Sequence, residues 1–321
     1  TARQPFRVPD RSDLPPLPRY AKLHMGDGAP RVTGYTEASR GCKHLCRHCP
    51  IVPVYQGRFR IVPREVVLED IRRQVRAGAQ HITFGDPDFF NGPGHALALV
   101  QALHAEFPTL SYDVTIKVEH LVKQARHLPT LRDTGCVLVT TAVEALDPQV
   151  LAYLDKGHTR ADFEKAVALC RLHGLALNPT FVTFTPWTSL TAYADLLDTI
   201  ERLDLVEHVT PIQYAIRLLI PAGSRLLELP EVQALAGPFE QATLTYPWQH
   251  PDPRVDDLYA AVRNAVQAGQ EQGQSRLEVF AAIRQLADQA VNRPTADGWL
   301  RRQLGGQRAK AIPYLSEPWY C

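Results

Sequence analysis

Three times along this chain, a helical pattern, a glycine and an apolar run follow one another in the same order. The amphipathic patterns end just before Gly78, Gly135 and Gly174, and short apolar or β-branched runs come directly after. A glycine just past a helix accepts the left-handed backbone conformation that ends it. Regular alternation of helices and strands is typical of parallel strands joined by right-handed crossovers. The pattern therefore predicts an α/β protein.

The alternation extends over six strand–helix units between about residues 31 and 220. The predicted strands are Arg31–Thr36, His81–Phe84, Tyr112–Val118, Cys136–Val143, Asn178–Phe184 and Val209–Leu219. Six units are too few for a closed eight-stranded barrel and predict a partial, TIM-like (β/α)6 barrel. We divide the chain into an N-terminal extension (1–30), the barrel (31–221), and a helical C-terminal cap with a cysteine-ended tail (222–321).

Composition limits the classes of partner. Among 321 residues, Lys plus Arg is 35 and Asp plus Glu is 34, so the formal net charge is +1. This balance excludes bulk electrostatic attraction to nucleic acid or anionic lipid, and no RNA-binding module is recognised. No apolar run reaches the roughly 18 residues that a bilayer span requires, and no secretory leader opens the chain. We therefore expect a cytoplasmic protein with a small-molecule substrate.

Three of the six cysteines, Cys42, Cys46 and Cys49, fall within eight residues just after the first predicted strand. In an α/β barrel, loops at the carboxyl ends of strands form the active site. Clustered thiols without an export signal indicate metal or redox ligands. One alternative is a structural zinc with His44 or His48 as the fourth ligand. The other is a 4Fe–4S cluster, in which three cysteines leave one iron open.

The CxxxCxxC spacing after the first strand of a partial barrel resembles the signature of the radical S-adenosylmethionine enzymes. The resemblance covers about residues 31–220. It implies that Cys42, Cys46 and Cys49 hold a 4Fe–4S cluster, and that the amino and carboxylate groups of S-adenosylmethionine chelate the open iron. It also implies an external electron donor of the flavodoxin or ferredoxin type.

Two further segments carry the resemblance. Gly85, Asp86 and Pro87 occupy the place of a Gly-Gly-Glu-Pro-like turn whose backbone holds the methionyl ammonium, although an ordinary turn would have the same composition. Glu144 ends the fourth predicted strand and resembles a family glutamate beside the cofactor; the alternative is a solvated edge residue. The segment that follows, Lys156–Thr159, is predicted to begin the next helix with Thr159 as its N-cap.

Polar residues on the third predicted strand are also candidates. Thr115, Lys117 and Glu119 share one face of that strand and would line the cavity, where they bind cofactor or substrate. If the strand ends by Ile116, the charges instead form ion pairs at its edge.

The fifth and sixth predicted strands add weaker cavity candidates, Asn178 and Arg217. Arg217 sits in an apolar run and needs an anionic partner, which is either a ligand carboxylate or an internal Asp or Glu.

The remaining cysteines differ in their surroundings. Cys136 and Cys170 are predicted to be buried apolar side chains. Cys321 ends an aromatic segment that includes Trp319 and Tyr320, and we expect Pro313–Cys321 to cross the barrel mouth. This tail resembles that of a radical S-adenosylmethionine subgroup similar to the arsinothricin-pathway enzymes, whose tail cysteines hold trivalent arsenic.

That resemblance implies transfer of a 3-amino-3-carboxypropyl group to trivalent arsenic in organoarsenical natural-product biosynthesis, with Cys321, Glu144 and Lys117 as catalytic residues. One alternative is hydrogen abstraction by a 5′-deoxyadenosyl radical on another small molecule or on RNA. An alternative of another class is a zinc-stabilised binding protein.

Overall fold

The computed structural model describes residues 5–26, 28–294 and 312–316. The strands are β1 (Lys22–His24), β2 (Arg31–Thr36), β3 (Ser39–Gly41), β4 (Phe59–Ile61), β5 (His81–Phe84), β6 (Ser111–Thr115), β7 (Cys136–Glu144), β8 (Ala176–Phe181) and β9 (Tyr314–Leu315). The α-helices are α1 (Val52–Tyr55), α2 (Arg64–Arg76), α3 (Pro93–Glu106), α4 (Val118–Lys123), α5 (Leu128–Asp133), α6 (Pro148–Leu154), α7 (Arg160–Leu172), α8 (Leu190–Arg202), α9 (Pro230–Leu235), α10 (Pro253–Glu271) and α11 (Arg276–Ala290).

Seven strands form one sheet in the order β8-β7-β6-β5-β2-β1-β9. The pairs β2–β5, β5–β6, β6–β7 and β7–β8 are parallel, whereas β1 pairs antiparallel with both β2 and β9. Helical crossovers connect the parallel strands, and β3 and β4 form a separate antiparallel pair. The sheet curls into a partial TIM-like barrel, which confirms the predicted fold class.

The predicted sixth strand, Val209–Leu219, is wrong in detail. Its centre forms a 3-10 helix at Pro211–Ala215, and it meets the barrel only through a parallel bridge between Phe184 and Arg217. Pro211 has no amide hydrogen for a strand ladder and suits the first turn of a helix. The third predicted strand also ends early, at Thr115.

Local signals placed the helix ends correctly. Gly78, Gly135 and Gly174 have φ angles of +100°, +101° and +66°, as the left-handed helix ends require. Thr159 is the N-cap of α7, and it exchanges hydrogen bonds with Asp162 in a capping box. These short-range motifs act without tertiary contacts, so a single sequence reveals them.

The two faces of the parallel sheet differ in polarity. Phe84, Tyr112 and Val114 are fully or almost fully buried in the apolar core. The alternate residues carry polar groups: Nε2 of His81 lies 2.8 Å from Oδ1 of Asp113. Buried polar groups must be hydrogen-bonded, so this face suits a ligand cavity better than a dry core.

The C-terminal helices α10 and α11 complete the apolar core. Val262, Phe280 and Ile283 are fully buried in the same cluster as the residues behind the sheet. No helix in the described part of the chain is both long and apolar enough to cross a bilayer.

Candidate functional site

The three clustered cysteines lie on one loop between β3 and α1, which we call the cysteine loop (residues 42–49). Cys46 is buried, and Cys42 and Cys49 are half-buried. The loop turns on itself where the Cys49 amide donates to the Cys46 carbonyl at 3.2 Å. Gly41 leads into it with φ +80°, where a Cβ atom would overlap the Arg58 carbonyl. The loop therefore depends on a residue without a side chain.

The thiols lie close enough together to influence one another. Burial is the largest cause raising the pKa of Cys42 and of Cys49, and their neighbouring cysteines raise it further. A 4Fe–4S cluster binds each cysteine on a separate iron, and three thiols on one loop leave its fourth iron open, so the donor set fits the cluster.

Lys117 lies next to the cysteine loop. Its Nζ is 3.9 Å from Sγ of Cys46 and 3.5 Å from Oε2 of Glu119, and Lys117 is only 6% exposed. Because β6 ends at Thr115, Lys117 and Glu119 do not share its face: Lys117 is the N-cap of α4, and Glu119 is in its first turn. The structure thus supports the ion-pair alternative, but with the ammonium group buried beside a thiol.

Glu144 is not a solvated edge residue. It is 4% exposed, and its Oε1 lies 3.2 Å from Nζ of Lys156 and 3.1 Å from Nε2 of His48. Burial alone would raise the pKa of Glu144, but Lys156 and His48 lower it to about 2. Its φ of +68° lies in the left-handed region, which is uncommon for a residue other than glycine. Glu144 is therefore an ionised, conformationally strained group whose charge is balanced internally.

Lys156 is a functional candidate that the sequence misses, because Lys156–Thr159 is predicted only to begin the next helix. In the structure it is 3% exposed. Burial lowers its pKa, but the Glu144 carboxylate and the cysteine thiolates outweigh this and raise it. Nothing in the composition of that segment predicts a buried ammonium group.

The turn after β5 holds the segment that leads into the cysteine loop. Asp86 is buried, and its carboxylate accepts hydrogen bonds from the Ala38 amide at 2.8 Å and the Ser39 hydroxyl at 2.6 Å. Burial raises the pKa of Asp86 to about 7. A Cβ atom on Gly85 would overlap the hydroxyl of Tyr35. The packing of Tyr35 against Gly85 therefore gives the absence of a side chain there a structural reason, independently of any ligand.

A cavity of about 180 Å³ lies inside the barrel, next to this turn. Thr115 and Asn178 line it as predicted, and the Asn178 amide donates to Oγ1 of Thr140 at 3.3 Å. The lining residues from the strands and the tail include Tyr35, Thr83, Gly85, Asp86, Asp113, Thr115, Thr140, Asn178, Pro313, Tyr314 and Leu315.

The described part of the tail forms one wall of this cavity. Tyr314 stacks on His24 with ring centroids 4.8 Å apart, and the Arg276 guanidinium lies 5.5 Å from the Tyr314 ring. Trp319, Tyr320 and Cys321 lie outside the described residues, so their predicted position over the barrel mouth stays a prediction.

Arg217 has the internal partner that the sequence left open. Its guanidinium binds Oδ1 of Asp256 at 2.6 Å and the Trp248 carbonyl at 2.9 Å, and it stacks 3.7 Å from the Trp248 ring. The charge of Arg217 is therefore balanced within the protein, and it needs no ligand carboxylate.

The chain matches the family model of the radical SAM superfamily over residues 36–202. It belongs to this superfamily, and it is an enzyme whose cofactors are a 4Fe–4S cluster and S-adenosylmethionine. It is 27% identical over 212 residues to ribosomal protein uS12 methylthiotransferase RimO of Cereibacter sphaeroides, covering 63% of this chain and 45% of the relative. It is 28% identical over 154 residues to tRNA-2-methylthio-N(6)-dimethylallyladenosine synthase of Chlorobium phaeovibrioides, covering 44% and 32%. The chain thus matches less than half the length of these relatives.

Solved structures support the fold. The cobalamin-dependent S-adenosylmethionine radical enzyme OxsB superposes with a TM-score of 0.62 at 15% identity, over 77% of this chain and 46% of that one. The radical S-adenosylmethionine methyltransferase TsrM of Kitasatospora setae, solved with cobalamin and a [4Fe-4S] cluster, superposes with a TM-score of 0.54 at 13% identity, over 82% and 61%.

Proposed function

We propose that Cys42, Cys46 and Cys49 hold the 4Fe–4S cluster and that S-adenosylmethionine binds between it and the barrel cavity. The observation that carries this proposal is the placement of three thiols on one loop, with Cys46 buried and Cys42 and Cys49 half-buried, inside the segment that matches the radical SAM superfamily. When bound, the reduced cluster supplies the electron that cleaves a carbon–sulfur bond of S-adenosylmethionine. The electron comes from an external donor of the flavodoxin or ferredoxin type.

The chain's own residues set the electrostatics around the cluster. Lys117 brings its ammonium to 3.9 Å from the Cys46 sulfur, and the Lys156 ammonium interacts with the thiolates of Cys46 and Cys49. Buried positive charge offsets the negative charge of thiolate-bound clusters and favours electron uptake. Glu144 and His48 keep Lys156 in place. The two lysines therefore tune the cluster, and Glu144 positions one of them.

The turn at Gly85, Asp86 and Pro87 is proposed to hold the methionyl end of the cofactor. An ammonium group requires acceptors, and the backbone carbonyls of the turn supply them. The Asp86 carboxylate is already used by Ala38 and Ser39, which leaves the backbone for this role. Thr115 and Asn178 line the cavity beyond the turn, where the remainder of the cofactor or the substrate would lie.

The specific reaction we propose is transfer of a 3-amino-3-carboxypropyl group to trivalent arsenic held by Cys321. The support is the position of the tail: Ile312, Pro313, Tyr314 and Leu315 line the same cavity as Gly85 and Thr115. A soft thiolate suits a thiophilic acceptor. The tail would then deliver its acceptor to the cavity in which the fragment is released. Each transfer would break one carbon–sulfur bond of S-adenosylmethionine to give 5′-methylthioadenosine, form one arsenic–carbon bond and displace one hydroxide or thiolate from arsenic. It would consume two electrons from the external donor, so that arsenic stays trivalent.

The test is anaerobic incubation with S-adenosylmethionine, dithionite and arsenite, followed by mass spectrometry. We expect 5′-methylthioadenosine and an arsenic-containing amino acid. The Cys321→Ser variant should form neither 5′-methylthioadenosine nor the arsenic-containing amino acid. Cys170→Ser, a matched change of a buried thiol, should behave as the parent. Normal product formation by Cys321→Ser would exclude the arsenic role of the tail.

A second candidate is hydrogen abstraction by a 5′-deoxyadenosyl radical, on a small molecule or RNA. The curated relatives favour it as an alternative, because their names include a tRNA-modifying synthase and a methylthiotransferase of a ribosomal protein. Formation of 5′-deoxyadenosine in place of 5′-methylthioadenosine in the same assay would select this candidate.

A further inference from the structure

Three side chains from separate segments converge beside the cysteine loop without belonging to the cysteine set. His44 comes from the loop, Asp88 from the turn after β5, and His120 from α4. One ligand atom from each lies within 4.8 Å of the other two. Oδ2 of Asp88 is 2.6 Å from Nδ1 of His120 and 3.5 Å from Nε2 of His44. The part of the chain that the structure describes contains no other group of this kind.

The three atoms contact one another at ion-pair distance. Asp88 is fully buried, and its Oδ2 lies within ion-pair distance of both imidazoles, yet Oδ2, Nε2 of His44 and Nδ1 of His120 are buried atoms whose contacts lack hydrogen-bond geometry. Unsatisfied buried polar atoms are costly and rare in folded proteins. A further atom bound at the position that all three face would give each of these polar atoms a partner.

The second oxygen of Asp88 is already fixed. Oδ1 accepts from the Phe90 amide at 3.3 Å and from the Lys117 amide at 3.4 Å. Both contacts come from the backbone, so they orient the carboxylate rigidly and leave Oδ2 turned towards the histidines. The carboxylate is therefore held in place before any ligand arrives.

The surroundings match those of a metal-binding histidine. If His44 binds through Nε2, its Nδ1 faces Oε2 of Glu119 at 3.9 Å. Metal-bound histidines commonly direct their other ring nitrogen at a carboxylate, which fixes the tautomer and strengthens the ligand. Lys117 and Lys123 hold Glu119 in turn, at 3.5 Å and 2.5 Å.

We propose that His44, Asp88 and His120 bind one divalent transition-metal ion of the zinc class, separate from the cluster. Two imidazoles and a carboxylate are the donor set that such ions prefer over magnesium or calcium. The three ligand atoms are themselves buried, so a small ligand such as water would fill the fourth position. The ion would fasten the cysteine loop to α4 and to the turn after β5.

The test measures zinc and iron together in the anaerobically prepared full chain with its cluster. After equilibrium dialysis against zinc chloride, we expect about one zinc per chain in addition to about four irons. The variants His120→Gln and Asp88→Asn should each lower zinc affinity at least tenfold and leave the iron content unchanged. His44→Gln provides a third variant on the loop side, should a change at the buried Asp88 prevent folding.

His95→Gln is the matched control. The Nε2 atom of His95 is also buried without a partner, but His95 belongs to no group of ligands. This variant should bind zinc as the parent does. Absence of zinc from the parent, or zinc that persists in both His120→Gln and Asp88→Asn, would overturn the proposal. Loss of iron from the cysteine variants is a separate measurement, so failure of the cluster assignment is distinguishable.

Discussion

The carboxyl ends of the barrel strands and the α10–α11 helix pair bury their side chains in opposite ways. The first region, which we call the charged rim, consists of five residues that are each 6% exposed or less: Asp86, Asp88, Lys117, Glu144 and Lys156. The helix pair instead buries Val262, Phe280 and Ile283, which are 0% exposed. One region excludes water from ionisable groups, and the other excludes it from hydrocarbon.

The contrast shows where stability and specificity reside. Apolar burial stabilises by about 25 cal/mol per Å² and does not depend on orientation. A buried ion pair contributes little net stability, yet removing one partner leaves a charge that has lost both water and its counterion. Replacing one charged group of the rim should therefore lower the stability sharply. In the helix pair, the loss of stability should depend only on the change in side-chain volume.

The largest expected effect is at the cysteine loop. Cys46→Ala should reduce iron from about four per chain to near zero and abolish cleavage of S-adenosylmethionine, because an iron loses its only protein ligand. Iron analysis after anaerobic reconstitution measures this. Cys170→Ala, a change in the apolar core, should retain the full iron content. Retention of iron by Cys46→Ala would contradict the assignment.

The next effect concerns the buried pair of Glu144 and Lys156. Lys156→Met should lower the free energy of unfolding by about 3–5 kcal/mol, because Glu144 keeps its charge without its main counterion. The double variant Glu144→Gln with Lys156→Met should recover most of this loss. Urea denaturation of the four proteins forms a double-mutant cycle. A double variant as unstable as Lys156→Met would mean that packing, and not charge, dominates.

A smaller effect should appear as a pH dependence. Burial, assisted by Lys156 and Lys117, lowers the pKa of His158 from 6.5 to about 4. The folded state therefore resists protonation, and stability that is complete above pH 6.5 is lost as the pH falls towards 4. Between pH 7 and pH 5, the parent should lose about 2 kcal/mol more than His158→Gln. Equal losses in urea titrations at the two pH values would argue against a buried neutral imidazole.

The last pair of variants tests the helices by volume. A Cβ atom on Gly269 of α10 would overlap Cγ2 of Val279, whereas one on Gly94 of α3 would contact nothing within 4 Å. Gly269→Ala should destabilise by about 1–3 kcal/mol through overpacking. Gly94→Ala should stabilise by up to about 1 kcal/mol through helix propensity. Thermal midpoints of the two variants should therefore move in opposite directions.

The same contrast explains how much the sequence predicts. The helix ends, the parallel strands and the cysteine spacing depend on local patterns, and the structure follows them. The early end of β6 at Thr115 and the internal partner of Arg217, Asp256, arise from tertiary contacts that periodicity does not encode.

The ion pairs of the charged rim could not be predicted from the sequence either. Lys156 and Glu144 meet across 12 positions of the chain, and Lys117 and Cys46 across 71. The sequence identified Asp86, Lys117 and Glu144 as site candidates but not Asp88 or Lys156, and it could not identify which of these residues are partners.

The pairing of β9 with β1 also determines the order in which the enzyme can be completed. Ser316 accepts a hydrogen bond from the amide of Lys22, 294 positions earlier in the chain. During synthesis, the side of β1 that faces away from β2 therefore has no partner strand until almost all of the described chain has left the ribosome. The contact of β1 with β9 is among the last to form. Until then one wall of the barrel cavity is missing.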